Sequence, residues 1–131
     1  MRTTLKQLSV EAVIAIHNQV LDAHGSGSGM RSRELLESAV AAPQATMRGA
    51  PMISDPIEIA AAYLFYLCAN HAFVDGNTRV ALATCLVFLS ENGLLQNEFL
   101  AVDDWENLTL AVASGSLTRA DTTARLRDLL A

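Results

Sequence analysis

Apolar residues recur at helical spacing along nearly the whole chain. Val10, Val13, Ile14, Ile16, Val20 and Leu21 are placed to line one face of a helix. Ser9 is positioned to cap it, Glu11 sits in its first turn, and it runs to about Ala23. The run His24-Gly-Ser-Gly-Ser-Gly29 stops that helix and makes a connection. A second helix is predicted from about Ser32 to Ala42, closed by Pro43. Residues 43–54 contain Gly49 and Pro51 and show no clear period, so an irregular loop or flap is expected there.

Asp55-Pro56-Ile57-Glu58 predicts a strong helix start, with Asp55 as cap, Pro56 at the first helical position and Glu58 reaching back. The helix to about Asn70 is apolar on most faces and must be buried. A second very apolar helix is expected from Thr78 to about Glu91, capped by Asn77 and ended by Asn92-Gly93. Residues 94–100 are too short to classify, with an extended stretch as one reading. Asp103 or Asp104 opens a helix ending at Gly115, and Thr118-Arg-Ala-Asp121 opens another at the C-terminus. The expectation is an all-α protein, a single compact helical bundle spanning residues 1–131 as one domain. Its two buried central helices are joined by the short loop before Thr78.

Composition agrees. Hydrophobic residues make up 51% of the 131 positions and aromatic residues only 5%, a mixture suited to close-packed helices more than to a β-sandwich. The formal charge of −5 argues against direct nucleic-acid binding, which favours a basic face. No secretory signal is visible at the N-terminus. The longest apolar stretch, Val80 to Leu89, falls short of the roughly 20 residues that span a bilayer. Cys68 and Cys85 lie in apolar helical patterns and read as reduced, buried thiols of a cytoplasmic protein.

The candidate chemistry is concentrated in His71-Ala-Phe-Val-Asp-Gly-Asn-Thr-Arg79, between the two apolar helices. Singly, each residue has a structural reading: a helix-terminal histidine, an Asp-Gly turn, a capping asparagine and an anchoring Phe73. Jointly they suit phosphate chemistry. His71 could take a proton from an attacking hydroxyl. Asp75 could hold Mg²⁺, a hard cation that prefers oxygen ligands. Gly76 lets the backbone approach a phosphate that the amides of Asn77 and Thr78 would face. Arg79 opposes the helix dipole where it stands, which makes sense if an anion binds there. His17, His24 and His71 show no zinc-ligand spacing.

The nine residues resemble the signature of the Fic/Doc superfamily, whose Fic branch reads HPFx(D/E)GNGR and whose death-on-curing (Doc) branch reads close to HxFx(D/N)(A/G)NKR. The likeness to the Doc branch extends to Gly29-Met30, Pro43-Gln44-Ala45, Phe88-Leu89 with Asn92-Gly93, and Leu108-Thr109 with Ala113 and Gly115. The resemblance implies a toxin of a toxin–antitoxin pair that phosphorylates a hydroxyl of elongation factor Tu with ATP and Mg²⁺. It implies His71 as general base and Asp75 as metal ligand. Asn77 and Arg79 would hold phosphate, and residues 47–53 would form a flap that aligns the target.

Two positions depart from the pattern. Leu82 replaces the second arginine of the longer Fic signature, which argues against AMP transfer. Thr78 replaces the Doc lysine and removes one phosphate-binding charge. No self-inhibiting (S/T)xxxE(G/N) helix is present, so the resemblance implies inhibition from outside by a Phd-like antitoxin. Three readings stand: a phosphotransferase toxin, a Fic-type AMP transferase, and a binding module disabled by Thr78.

Overall fold

A computed structural model describes residues 5–24, 29–73, 76–95 and 101–131. In chain order these form helices α1 (Val10–His24) and α2 (Arg33–Ala41), a 3₁₀ turn (Ala42–Gln44) and a small hairpin of β1 (Thr46–Met47) and β2 (Ala50–Pro51). Helices α3 (Pro56–Asn70), α4 (Asn77–Glu91), α5 (Val102–Ala113) and α6 (Arg119–Leu130) follow. The architecture is all-α, with the two-stranded hairpin as a surface addition. No helix among the described residues is long and apolar enough to cross a membrane.

Helix α3 is the hub. Ile59, Ala60, Ala61, Ala62, Tyr63 and Leu64 are consecutive and all buried. A helix can bury every side in this way only when neighbours surround it, and α3 packs against α2, α4, α5, α6 and the 3₁₀ turn. The three alanines let those neighbours approach closely. Helix α4 buries Val80, Ala81, Thr84, Cys85, Phe88 and Leu89, and it packs against α1, α3 and α5. The two apolar helices are therefore central, as their sequences require. Cys68 and Cys85 are buried free thiols, and burial pushes both up to about 12.

Most helix ends are written in local chemistry. Ser9 Oγ accepts from the Ala12 N–H at 3.0 Å, Ser32 Oγ from Leu35 at 3.1 Å, and Asp55 Oδ1 from Ile57 at 3.1 Å. The other oxygen of Asp55 takes Arg127 of α6, so the cap of α3 also ties down the last helix. Among the described residues Glu58 makes no bond back to that cap. Thr118 and Asp121 form a complete capping box at α6. Helix α4 ends with Leu94 N–H on Leu89 C=O and Gly93 N–H on Ser90 C=O, and α5 repeats the pattern at Ser116 and Gly115. Both are glycine-terminated Schellman ends.

Three expectations are corrected. Helix α4 starts at Asn77, not Thr78, and its cap is Gly76 at φ 80°. Asn77 is not the cap, because its side chain is drawn back into the preceding loop. Helix α5 starts at Val102, ahead of the two aspartates, which occupy its first turn. The flap is not wholly irregular. Thr46 pairs with Pro51 and Met47 with Ala50, around a two-residue turn of Arg48 and Gly49 with φ of 54° and 81°. A turn with two left-handed residues ordinarily announces itself as Asn-Gly, and Arg in the first place conceals it. Of the stretch 94–100, residues 96–100 lie outside the described residues, as does most of the Gly25–Gly29 connection.

The N-terminal segment is fastened at two points. Buried Tyr63 accepts the Leu8 N–H at 3.0 Å and donates to Gln7 Oε1 at 2.6 Å, and Gln44 Nε2 donates to Leu8 C=O at 2.7 Å. Asn92 accepts the Lys6 N–H at 2.7 Å and returns a bond to Lys6 C=O at 3.1 Å.

Two substitutions test this description through denaturant unfolding. The hydroxyl of Thr84 is fully buried in α4 with no hydrogen-bond partner among the described residues. Thr84→Val keeps the shape and is expected to stabilise the fold by about 1 kcal/mol; a loss of stability would show that the hydroxyl is satisfied in solution. His71, exposed, ends α3 in the left-handed conformation at φ 48°, ψ 48°. His71→Gly is expected to stabilise by roughly 0.5–1 kcal/mol, whereas destabilisation would mean that the imidazole itself holds the turn.

Candidate active site

The chain leaves α3 at His71, whose left-handed backbone turns it sharply aside. The next residue is gripped from another element. Ala72 C=O accepts the N–H groups of Arg31 at 2.8 Å and Ser32 at 3.0 Å, and Phe73 forms an isolated antiparallel bridge with Met30. Asn70 Nδ2 donates to Leu35 C=O at 3.1 Å across the same junction. The start of α2 thus fixes the end of α3, and Met30 matters because its backbone is the partner of the loop.

Phe73 is the anchor that its position suggests. It is buried, and its ring stacks on His17 of α1 with centroids 3.7 Å apart and planes 10° from parallel. Sequence reasoning missed His17 as a support of the loop. The signal was its place on the apolar stripe, one turn beyond Val13 and Ile14.

Asn77 closes the loop. Its Oδ1 accepts the Phe73 N–H at 3.0 Å and its Nδ2 donates to Phe73 C=O at 2.9 Å. Both ends of the amide are engaged with one residue four positions back, so the side chain clasps the loop against the first turn of α4. Gly76 takes the capping position that Asn77 vacates. A glycine cap brings no side-chain oxygen to the first turn of α4, and a helix start of this kind can receive an anion on its backbone N–H groups. Thr78 is half-buried in that first turn and Arg79 is exposed beside it.

Of the residues singled out from the sequence, the structure gathers Gly76, Asn77, Thr78 and Arg79 at one helix start and holds His71 at the end of the preceding helix. Asp75 lies outside the described residues. Among the described residues no three His, Cys, Asp or Glu side chains converge. A Mg²⁺ held by one carboxylate, phosphate oxygens and water needs no such cluster.

Beside Thr78 and Arg79 lies a groove of about 330 Å³ between α4 and α5. Leu82 continues the α4 wall, and Glu106, Thr109 and Leu110 make the α5 wall. Thr109 belongs to the likeness noted in the sequence, but nothing local marks Glu106 or Leu110, because only the crossing of the two helices brings them to the motif.

Residues 7–89 match the Fic/DOC family, a span that includes α1, the flap hairpin, the whole loop and most of α4. The chain is 29% identical over 125 residues to "Protein kinase doc" of Escherichia phage P1, covering 95% of this chain and 96% of that protein. It is 41% identical over 92 residues to "Toxin Doc" of Mycolicibacterium smegmatis, covering 70% of this chain and 71% of that one. With the family match covering well over half of its length, this chain belongs to the Fic/DOC family.

Proposed function

We propose that the protein is the toxin of a toxin–antitoxin pair and transfers the γ-phosphate of ATP to a hydroxyl of a cytoplasmic protein. The observation that carries this reading is the extent of the likeness to the phage kinase. It runs through 95% of this chain, well past the shared motif and into α5 and α6. Leu82 supports the same branch, because it puts an isobutyl group where the AMP-transferring pattern has a second arginine.

In the proposed reaction the target's hydroxyl oxygen forms a bond to the γ-phosphorus, the bond to the β–γ bridging oxygen breaks, and ADP leaves. His71 takes the hydroxyl proton. The first-turn amides of α4, with Arg79, receive the charge on the transferred group. Asn77 contributes through its backbone N–H, since its side chain is engaged with Phe73. Asp75 would hold Mg²⁺, which when bound neutralises charge on the phosphates. The flap hairpin would align the target, elongation factor Tu being the proposed one, and a Phd-like antitoxin would restrain the activity.

Thr78 favours a second reading. It places a neutral hydroxyl where the Doc pattern has a lysine, a loss on the order of 1–3 kcal/mol of phosphate stabilisation. The chain would then be an attenuated enzyme or a binding module.

Transfer of label from ATP to translation factors separates these readings. Label from the γ position is expected on protein, falling by roughly 100-fold or more in His71→Ala and rising in Thr78→Lys. Label from the α position would mean AMP transfer. No label from either position, even with Thr78→Lys, would leave only the binding module.

A further inference from the structure

We infer that Met47 and Met52 of the flap hairpin form a modification site, at which hydrogen peroxide converts both thioethers to sulfoxides and so slows transfer to the protein target. The inference rests on the phosphotransfer reading above, in which the flap aligns the target, and adds a reversible control on that flap.

The ladder brings the two side chains together. Thr46 pairs with Pro51 and Met47 with Ala50. The Met52 N–H donates to Ala45 C=O at 2.9 Å, which carries the same register one pair further. Side chains alternate along a strand, and directly opposed residues share a face. Ala45, Met47, Ala50 and Met52 therefore lie on one face of the hairpin, with the two methionines as diagonal neighbours and no polar side chain between them. Met47 is 62% exposed and Met52 60%. The next residue, Ile53, is buried, so the chain turns into the core just past the pair.

The other sulfur atoms are protected. Cys68 and Cys85 are buried, and burial pushes both thiols up to about 12, which leaves almost no thiolate to react. Met30 is half-buried and packed against the core. Met1 lies outside the described residues. Among the described residues, an oxidant in solution meets well-exposed sulfur on the flap alone.

In the step itself a lone pair of the thioether sulfur attacks one oxygen of the peroxide. The O–O bond breaks, an S–O bond forms, and the second oxygen leaves as water. Sulfur is oxidised by two electrons and the peroxide is reduced by two. A polar sulfoxide then stands in place of each apolar thioether, and the face loses the apolar surface that it could bury against a target. Neither His71 nor the first turn of α4 carries sulfur, so the phosphate end of the site is left as it was.

The test treats the whole protein with hydrogen peroxide, destroys the excess with catalase and maps the products by peptide mass spectrometry. Met47 and Met52 should each gain one oxygen well before Met30, with Cys68 and Cys85 unmodified. Transfer of γ-label from ATP to translation factors is then measured, each protein against its own untreated rate. Wild type is expected to lose its rate severalfold with the KM for ATP unchanged. Methionine sulfoxide reductases, one for each sulfoxide epimer, should restore it. The double variant Met47→Leu, Met52→Leu keeps apolar volume on the face, and thermal melts confirm that it is folded. It should hold its own rate through the same treatment. Oxidation of Met30 ahead of the pair would overturn the inference, as would an undiminished wild-type rate with both sulfoxides formed or an equal loss in the double variant. Each of these leaves the phosphotransfer reading intact. Absence of any transfer by untreated wild type would bring down that reading, and this inference with it.

Discussion

The site depends on one pair of hydrogen bonds. Asn77 gives both ends of its amide to the backbone of Phe73, and this closes the loop that carries the candidate residues. A loop of mixed polar residues between two helices would otherwise sample many conformations, each ordered residue costing about 1–2 kcal/mol of backbone entropy. The clasp offsets that cost at the point where the chain must reverse. Around it the ring of Phe73 is held by His17, and the carbonyl of Ala72 by the first amides before α2. Three separate elements therefore hold Ala72 and Phe73.

The clasp works because its two ends are themselves immobile. Phe73 follows α3, which is buried on every side, and Asn77 begins α4, which is nearly so. Packing of this kind leaves little room for displacement, and a catalytic constellation benefits from such support. The cost shows at His71. Its left-handed backbone is unfavourable for a residue with a Cβ, yet it is retained where a glycine would relax the turn. The candidate base is thus held in place by strain that the core on one side and α2 on the other sustain.

Much of the fold could be read from the sequence, because its signals are local. Ser9, Ser32, Asp55 and Thr118 cap the helices that their positions announce, and Gly93 and Gly115 end two of them. Two helices without a polar face had to be central, and they are. The motif residues too were visible as a cluster. What escaped was set by tertiary contact. Asn77 reads as an ordinary cap until Phe73 comes within reach, and only then does Gly76 take over the capping position. His17 looks like one member of a stripe until α1 meets the loop. The hairpin hides behind Arg48, and Glu106 and Leu110 come to line one groove with Thr78 and Arg79 only because α5 crosses α4.

If the clasp is the constraint on which the loop depends, its removal must loosen Phe73 before anything else. Amide hydrogen exchange in Asn77→Ala, compared with wild type, addresses this directly. Protection of the Phe73 N–H should fall by about tenfold, the worth of one hydrogen bond, while the interior amides of α3 keep theirs. Unchanged protection at Phe73, together with weaker binding of ATP, would contradict the account and mean that the Asn77 side chain serves the ligand and not the loop.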